Sequence, residues 1–342
     1  MTNPSSQLET PESIIAELKK PLPIGRTLFT YGMTVLAFAL TGLALLPLVG
    51  ILWSILLQGV PQLSPETITS LPAPVGVEGP NGFGNAILGT LIMVGIASAI
   101  SIPFGLLTGI YLSEFGKNSK TASAIRFITT VLTGIPSVII GVFAYGVVVV
   151  TKIGIQNGQI FFGREAIDQG SGVPLPGFLS AIANIFGYDI NTLSIGIGGF
   201  SALAGGFALS ILMLPVVALT TEEALKLVPI SQRLASAALG ATRFQTTFKI
   251  VVATALPGVT TGILLAVARA AGETAPLVFT ALFSDNWPDG LFNPTPSLSV
   301  LIYNYANSPF PEQNNLAWTA SVVLVSLILL ISIASRMVTR RR

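Results

Sequence analysis

Arg269 and Glu273 stand where charge is expensive. They lie four positions apart in ALPGVTTGILLAVARAAGETAPLVFTALF, residues 255–283, a run with no other ionisable side chain. On a helix this spacing places both on one face, where they can meet. An arginine at the centre of a bilayer costs about 2.5–3.5 kcal/mol even on insertion scales, so a partner or a use must offset it. Arginine's donor fork suits an oxyanion. Glu273 would hold the guanidinium in place and keep a passing anion from being trapped there. The same pair could instead be a structural ion pair to a neighbouring subunit. The hydroxyls of Thr274, Thr133 and Ser137 stand beside prolines and could line the same polar path, or could simply satisfy carbonyls freed by a kink. The chain has neither histidine nor cysteine. That excludes disulfides, the usual zinc, haem and iron–sulfur ligand sets, and Ser-His-Asp or Cys-His catalysis.

The elements that must position these groups are apolar helices. Of 342 residues, 51% are hydrophobic and 9% charged, and mean hydropathy is +0.77. Soluble domains carry roughly a quarter charged residues. The expectation is an all-α polytopic membrane protein with six spans: 28–57, 85–112, 127–151, 195–219, 256–283 and 316–335. The first run is longer than the core of a signal peptide and reads as a retained anchor. A polar tail, 1–27, precedes it, and a basic tail, 336–342, closes the chain. Thr133, Gly134, Pro136 and Ser137 interrupt the third span. Residues 152–193 read as a long polar loop, and 297–307 as a short interfacial helix carrying Tyr303 and Tyr305 that caps the bundle.

The basic residues assign sides. Lys19, Lys20, Arg26, Lys117, Lys120, Arg126, Lys226, Arg233, Arg243, Lys249, Arg336 and Arg340–Arg342 fall together. Only Lys152 and Arg164 fall opposite, with Arg269 inside a span. The positive-inside rule makes both termini, the 113–126 loop and the 220–250 loop cytoplasmic.

The 220–250 loop carries two short helical patterns. The first, from Thr220 to Val228, has Glu222 and Glu223 in its opening turn. Pro229 interrupts, and Ser231 is a candidate cap for a second helix of about ten residues ending near Gly240. Leu234, Ala237, Ala238 and Ala241 give it a small apolar face, with Arg233, Ser236, Arg243 and Gln245 at its margin. So short a helix needs a docking surface. Either a soluble partner grips it, or it lies on anionic headgroups.

Here the chain resembles the inner-membrane permeases of ABC importers. Their loop motif is EAA, three residues, Gly, nine residues, then Ile-x-Leu-Pro. Leu234, Ala235 and Ser236 occupy the EAA positions without the glutamate, Gly240 follows at the required interval, and Ile250 after nine more. Val252–Ala253 replace Leu-Pro, although Leu256–Pro257 follows. The run from Ala268 to Leu277, ARAAGETAPL, is similar to the fifth span of phosphate importer permeases of the PstA type. Gly84–Thr90 and Leu132–Gly141 add to the likeness, which covers about residues 82–335, the expected permease domain.

The resemblance implies a type I ABC importer permease fold and three kinds of partner beside membrane lipid: a PstC-type second permease, a PstB-type ATPase dimer and a PstS-type extracytoplasmic phosphate-binding protein; no nucleic acid is expected. It implies ATPase coupling through Glu222, Glu223, Arg233, Leu234, Ala235, Ser236, Gly240 and Ala241, and a substrate gate at Arg269, Glu273, Thr274, Thr133 and Ser137. No cofactor or metal is expected and no enzyme activity, because Gly116–Lys117 is followed by Asn118 rather than by the Ser or Thr of an ATP-binding loop. Two other functions remain open on these residues: an ABC permease for another oxyanion such as molybdate or sulfate, and a secondary transporter or channel working without ATP, such as an ion-coupled carrier. The carrier would call for inverted repeats and more intramembrane acids.

Overall fold

The computed structural model describes residues 24–77, 79–116, 119–150, 153–156, 159–162, 173–174, 195–197 and 199–340. The tail before residue 24, most of the 152–193 loop, Lys117, Asn118, Arg341 and Arg342 lie outside them. The chain forms two compact units, 1–54 and 55–342. In the first, helix α1 (Ile24–Gly59) begins; it is apolar, and nearly every side chain on it is exposed.

The second unit holds the remaining helices. A one-turn helix, α2 (Pro65–Thr69), precedes α3 (Gly84–Ile110), which runs into a π-helical turn at Tyr111–Phe115. Then come α4 (Lys120–Gly134), α5 (Ser137–Ala144) with a π-helical end at Tyr145–Val150, α6 (Ala202–Lys226) and α7 (Ile230–Ala238). A capped turn at Arg243–Gln245 and a second π-helical stretch, Thr246–Val251, lead into α8 (Val252–Ala271). Helices α9 (Ala275–Thr280), α10 (Leu298–Ala306) and α11 (Pro311–Arg340) complete the chain. Serines begin several of these where the orphan N–H groups need an acceptor: Ser119 accepts from Ala122, Ser201 from Ala204 and Ser297 from Val300.

Among the described residues, five helical stretches are long and apolar enough to cross a membrane, and six if α4 and α5 form one span bent by 105°. The bend lies at Ile135–Pro136, because proline has no N–H to continue the helix and clashes with the preceding turn. It is far sharper than the kink expected there. The 152–193 loop, expected to be irregular, contributes short strands β1 (Ile153–Gln156), β2 (Gln159–Phe162) and β3 (Val173–Pro174). Together with β4 (Ile195–Ile197) they form an antiparallel sheet ordered β3-β2-β1-β4. Its sequence signal is Asn157–Gly158 between two tetrapeptides, a strong hairpin dipeptide.

Helix α6 is the axis of the bundle. It runs parallel to α3 and meets it through glycines. A Cβ on Gly105 would lie 2.8 Å from Val217, one on Gly109 2.6 Å from Thr221, and one on Gly206 2.6 Å from Ile96. On its other side, Gly262 of α8 leaves no room for a Cβ beside Thr220. Small residues allow such approach where helices lack a hydrophobic drive to associate. The central core joins Met93, Leu209, Met213, Val217, Ala266 and Leu277. A second cluster lies at what we call the hairpin end, after the 284–297 turn between α9 (Ala275–Thr280) and α10 (Leu298–Ala306), where Phe83, Leu298, Leu301 and Leu316 pack. A third lies at the loop end, with Ile110, Leu225, Val228, Val251 and Val259.

Three expectations change. The first helical pattern of the central loop is not separate: α6 continues through it to Lys226, so Glu222 and Glu223 lie near a helix C-terminus, where the dipole disfavours acids. Ser231 is not the cap of α7, which starts after Pro229 with no side-chain cap. The fifth span is not continuous over 256–283: it begins earlier and stops at Ala271, and Gly272–Thr274 separates α8 from α9.

Candidate functional site

At the loop end, two buried carboxylates gather the basic residues. Glu222 is 2% exposed. Its Oε1 accepts from Arg126 Nη2 at 2.7 Å and Nε at 3.0 Å, and pairs with Lys226 Nζ at 2.6 Å. The two cations offset the dipole penalty and tie the first turns of α4 to the end of α6. Arg126 also donates to the Leu112 carbonyl at 3.3 Å, so the π-helical end of α3 joins the same knot.

Glu114 is the second carboxylate, 7% exposed, in the π-helical turn at the end of α3. Its Oε1 pairs with Arg233 Nη1, and Ser113 Oγ donates to it at 3.1 Å. Arg233 Nη2 donates to the Leu225 carbonyl at 2.7 Å. The Glu114 backbone carbonyl accepts from Arg243, whose guanidinium lies 5.3 Å from the centre of the Phe115 ring. Helix α7 is thus fastened from within its length and again just beyond its end. Ser236 turns inward, 2.9 Å from the Thr246 hydroxyl. Gly240 adopts φ 79°, the left-handed conformation that ends the segment, and Thr242 then caps the next turn.

With Arg233 and Ser236 turned in, α7 presents apolar side chains outward. Leu234, Ala235, Ala237 and Ala238 are exposed and Ala241 half-buried. Leu227, Ile230, Phe244 and Leu239 extend the patch, and Leu239 is 89% exposed. Glu223 is exposed beside it. Of the residues expected to serve coupling, Leu234, Ala235 and Glu223 face outward. Glu222, Arg233 and Ser236 face the bundle and hold the others in place.

The Arg269–Glu273 pair forms, with Nε and Oε1 3.3 Å apart. Arg269 is not in mid-helix: it occupies the last turn of α8, its side chain 53% exposed, and Glu273 lies in the break with its side chain 16% exposed. Ser299 Oγ of α10 donates to the Glu273 carbonyl at 2.8 Å. Thr274 is half-buried at the start of α9. The two broken spans meet, since a Cβ on Gly141 of α5 would lie 2.7 Å from Pro276 Cα. Thr133, at the end of α4, donates to the Thr130 carbonyl at 2.7 Å and is exposed; Ser137 begins α5, half-buried.

At the hairpin end the bonds are mostly neutral. Asn85 Nδ2 donates to the carbonyls of Ser284 at 3.3 Å and Asn286 at 3.2 Å. Thr90 Oγ1 accepts from Leu298 N at 2.9 Å. Tyr303 is exposed as expected of an interfacial tyrosine, but Tyr305 is buried, edge-on to Phe283, with its hydroxyl 3.3 Å from Asp285. Burial first, and the Asp285 carboxylate second, push the Tyr305 hydroxyl well above its ordinary pKa.

Glu114 and Arg126 are absent from the sequence-based candidates. Their signal was available: in a chain with 15 acids, Glu114 sits on the helical extension of a long apolar run, and Arg126 opens the next.

A bundle of bent and broken spans that pins a short outward-facing helix at one end has the architecture of type I ABC importer permeases. The solved bacterial alginate ABC transporter in complex with an alginate pentasaccharide-bound periplasmic protein matches it with TM-score 0.55 at 15% identity, over 93% of this chain and 96% of that one. The chain belongs to the family of binding-protein-dependent transport system inner membrane components, which matches residues 101–342. Among its relatives, the phosphate transport system permease protein PstA of Haemophilus influenzae is 35% identical over 84% of this chain and 85% of that protein. PstA of Yersinia pestis is 33% identical over 90% and 89%.

Proposed function

We propose that this chain is the membrane-spanning permease subunit of an ATP-driven phosphate importer of the inner membrane, and that a separate ATPase subunit supplies its power. The substrate follows from the PstA relatives. The observation that carries the mechanism is the posture of α7: Arg233 within it and Arg243 just beyond it are turned inward onto Glu114 while an apolar face points away from the protein. A PstB-type ATPase dimer docks on that face. A PstC-type permease completes the membrane pore, and a PstS-type protein delivers phosphate to the opposite side. The cations gathered around Glu114 and Glu222 support a cytoplasmic loop end, and with it cytoplasmic termini. The permease domain extends over 82–335, with α1 before it.

Arg269 and Glu273 form the gate on the phosphate path, with Thr274, Thr133 and Ser137 along it. The break after Ala271 supports this reading, because irregular backbone at membrane depth is tolerated where it lines a polar route. The guanidinium fork meets the anion, and Glu273 competes for it and so allows release. Docking of ATP-bound partners displaces α7 and opens or closes this pair.

Uptake of radiolabelled phosphate by cells lacking this chain tests the substrate, with molybdate and sulfate as competitors. Loss of uptake that excess molybdate and sulfate leave unaltered when the chain is restored supports phosphate. Normal uptake without the chain removes the assignment. Arg269→Ala tests the gate: assembly is retained and uptake lost, whereas normal uptake reduces the pair to a structural contact.

A further inference from the structure

We propose that Glu114 is the positioning residue through which movement of α7 enters α3, and that α3 carries the movement to the hairpin end. This rests on α7 being the ATPase-docking helix. The covalent route from α7 to the gate runs through α8, by way of the π-helical stretch Thr246–Val251. Such wide turns are single-turn interruptions that recur at functional sites. A second, side-chain route runs through Glu114, in the π-helical turn that ends α3.

Three observations define that route. First, Glu114 is held at two points of the 230–243 segment: its carboxylate by Arg233 and its backbone carbonyl by Arg243. Arg233 also grips the Leu225 carbonyl at the end of α6 at 2.7 Å, so α7 cannot move without pulling on the ends of α3 and α6 together. Second, α3 and α6 have no slack between them. The Cβ positions at Gly105 and Gly109 fall 2.8 Å and 2.6 Å from α6 side chains, so the two helices move as one. Third, the far end of α3 is fastened to the hairpin. Thr90 Oγ1 accepts from the first N–H of α10 at 2.9 Å, and Gly89 faces the Pro296 carbonyl with no room for a Cβ. Helix α10 in turn reaches the gate, with Ser299 Oγ on the Glu273 carbonyl at 2.8 Å. The chain of contacts is Arg233, Glu114, α3, Thr90, α10, Ser299 and Glu273.

The two ends of this route can be cut separately in the full complex of both permeases, ATPase and binding protein, reconstituted in vesicles. Phosphate delivered per ATP hydrolysed is read beside capture of the ATPase subunit. Glu114→Gln keeps the carboxylate's shape and removes its charge; Thr90→Val removes the acceptor at the hairpin end and leaves the loop end untouched. Thr90→Val is expected to retain ATPase capture and hydrolysis within about twofold, and Glu114→Gln, which also loosens α7, to lower capture; in both, phosphate delivered per ATP hydrolysed falls about tenfold. A purely structural residue would lower hydrolysis and uptake together and leave their ratio unchanged. An unchanged ratio in Glu114→Gln overturns the proposal. If Glu114→Gln prevents assembly, Thr90→Val decides: a lowered ratio upholds the route, and a normal ratio overturns it. A wild-type complex that captures no ATPase refutes the docking role of α7, and the proposal with it.

Discussion

The loop end and the hairpin end of the bundle solve the same problem with different chemistry. Each must hold a short helix, α7 or α10, against the ends of long ones. At the loop end the fastening is ionic, with Glu114 and Glu222 buried and each meeting basic side chains from elsewhere in the sequence. At the hairpin end it is largely neutral, with Asn85, Thr90, Ser297 and Ser299 bonding backbone groups. Neutral bonds contribute about 1 kcal/mol each and any of several hydroxyls can make them. Buried ion pairs add little net stability, yet breaking one is costly. The loop end therefore gains orientation rather than stability. Its helix is held with the apolar side outward, the posture that the proposed docking of an ATPase needs.

Substitutions should separate the two ends by size of effect. The largest is expected of Arg126→Met, which leaves Glu222 buried with only the half-exposed Lys226. About 2–3 kcal/mol should be lost, the lower part of the range because Arg126 is itself partly exposed. Thermal unfolding of the purified complex measures it, and a loss under about 1 kcal/mol would mean the knot is dispensable. Next is Gly89→Ala at the hairpin end, where the new Cβ would lie 2.0 Å from the Pro296 carbonyl oxygen. The hairpin must shift, at about 1–3 kcal/mol, and protease access to the 284–297 segment should rise. Thr90→Val removes a single helix-start acceptor and should cost about 1 kcal/mol, read in the same unfolding assay. The smallest effect on stability, within about 0.5 kcal/mol, belongs to Leu234→Asp on the outward face of α7. That variant sharpens the comparison most, because ATPase capture should fall at least about tenfold while the fold is untouched.

The sequence made the loop end only half legible. Pro229, Gly240 and the Leu234–Ala238 face were visible as local signals, and α7 forms between them. What α7 rests on was hidden, since Glu114 is 119 positions from Arg233 and 129 from Arg243, and nothing local announces such pairs. Glu222 looked like a first-turn acid only because the end of α6 was placed at residue 219. Lys226 and Arg126 let the helix run on through two carboxylates. In the fifth span, the spacing of Arg269 and Glu273 foretells that they meet. The break between them was obscured by the surrounding alanines, strong helix formers that outweigh Gly272 in any local tally.

Photo-crosslinking in intact membranes tests the central claim that the loop end receives the work. Leu239 and Tyr303 are both exposed and stand at opposite ends of the bundle. A crosslinking residue at 239 should yield an adduct with the ATPase subunit, and one at 303 should not. An ATPase adduct from 303, or its absence from 239 in a complex that still hydrolyses ATP, would contradict the account.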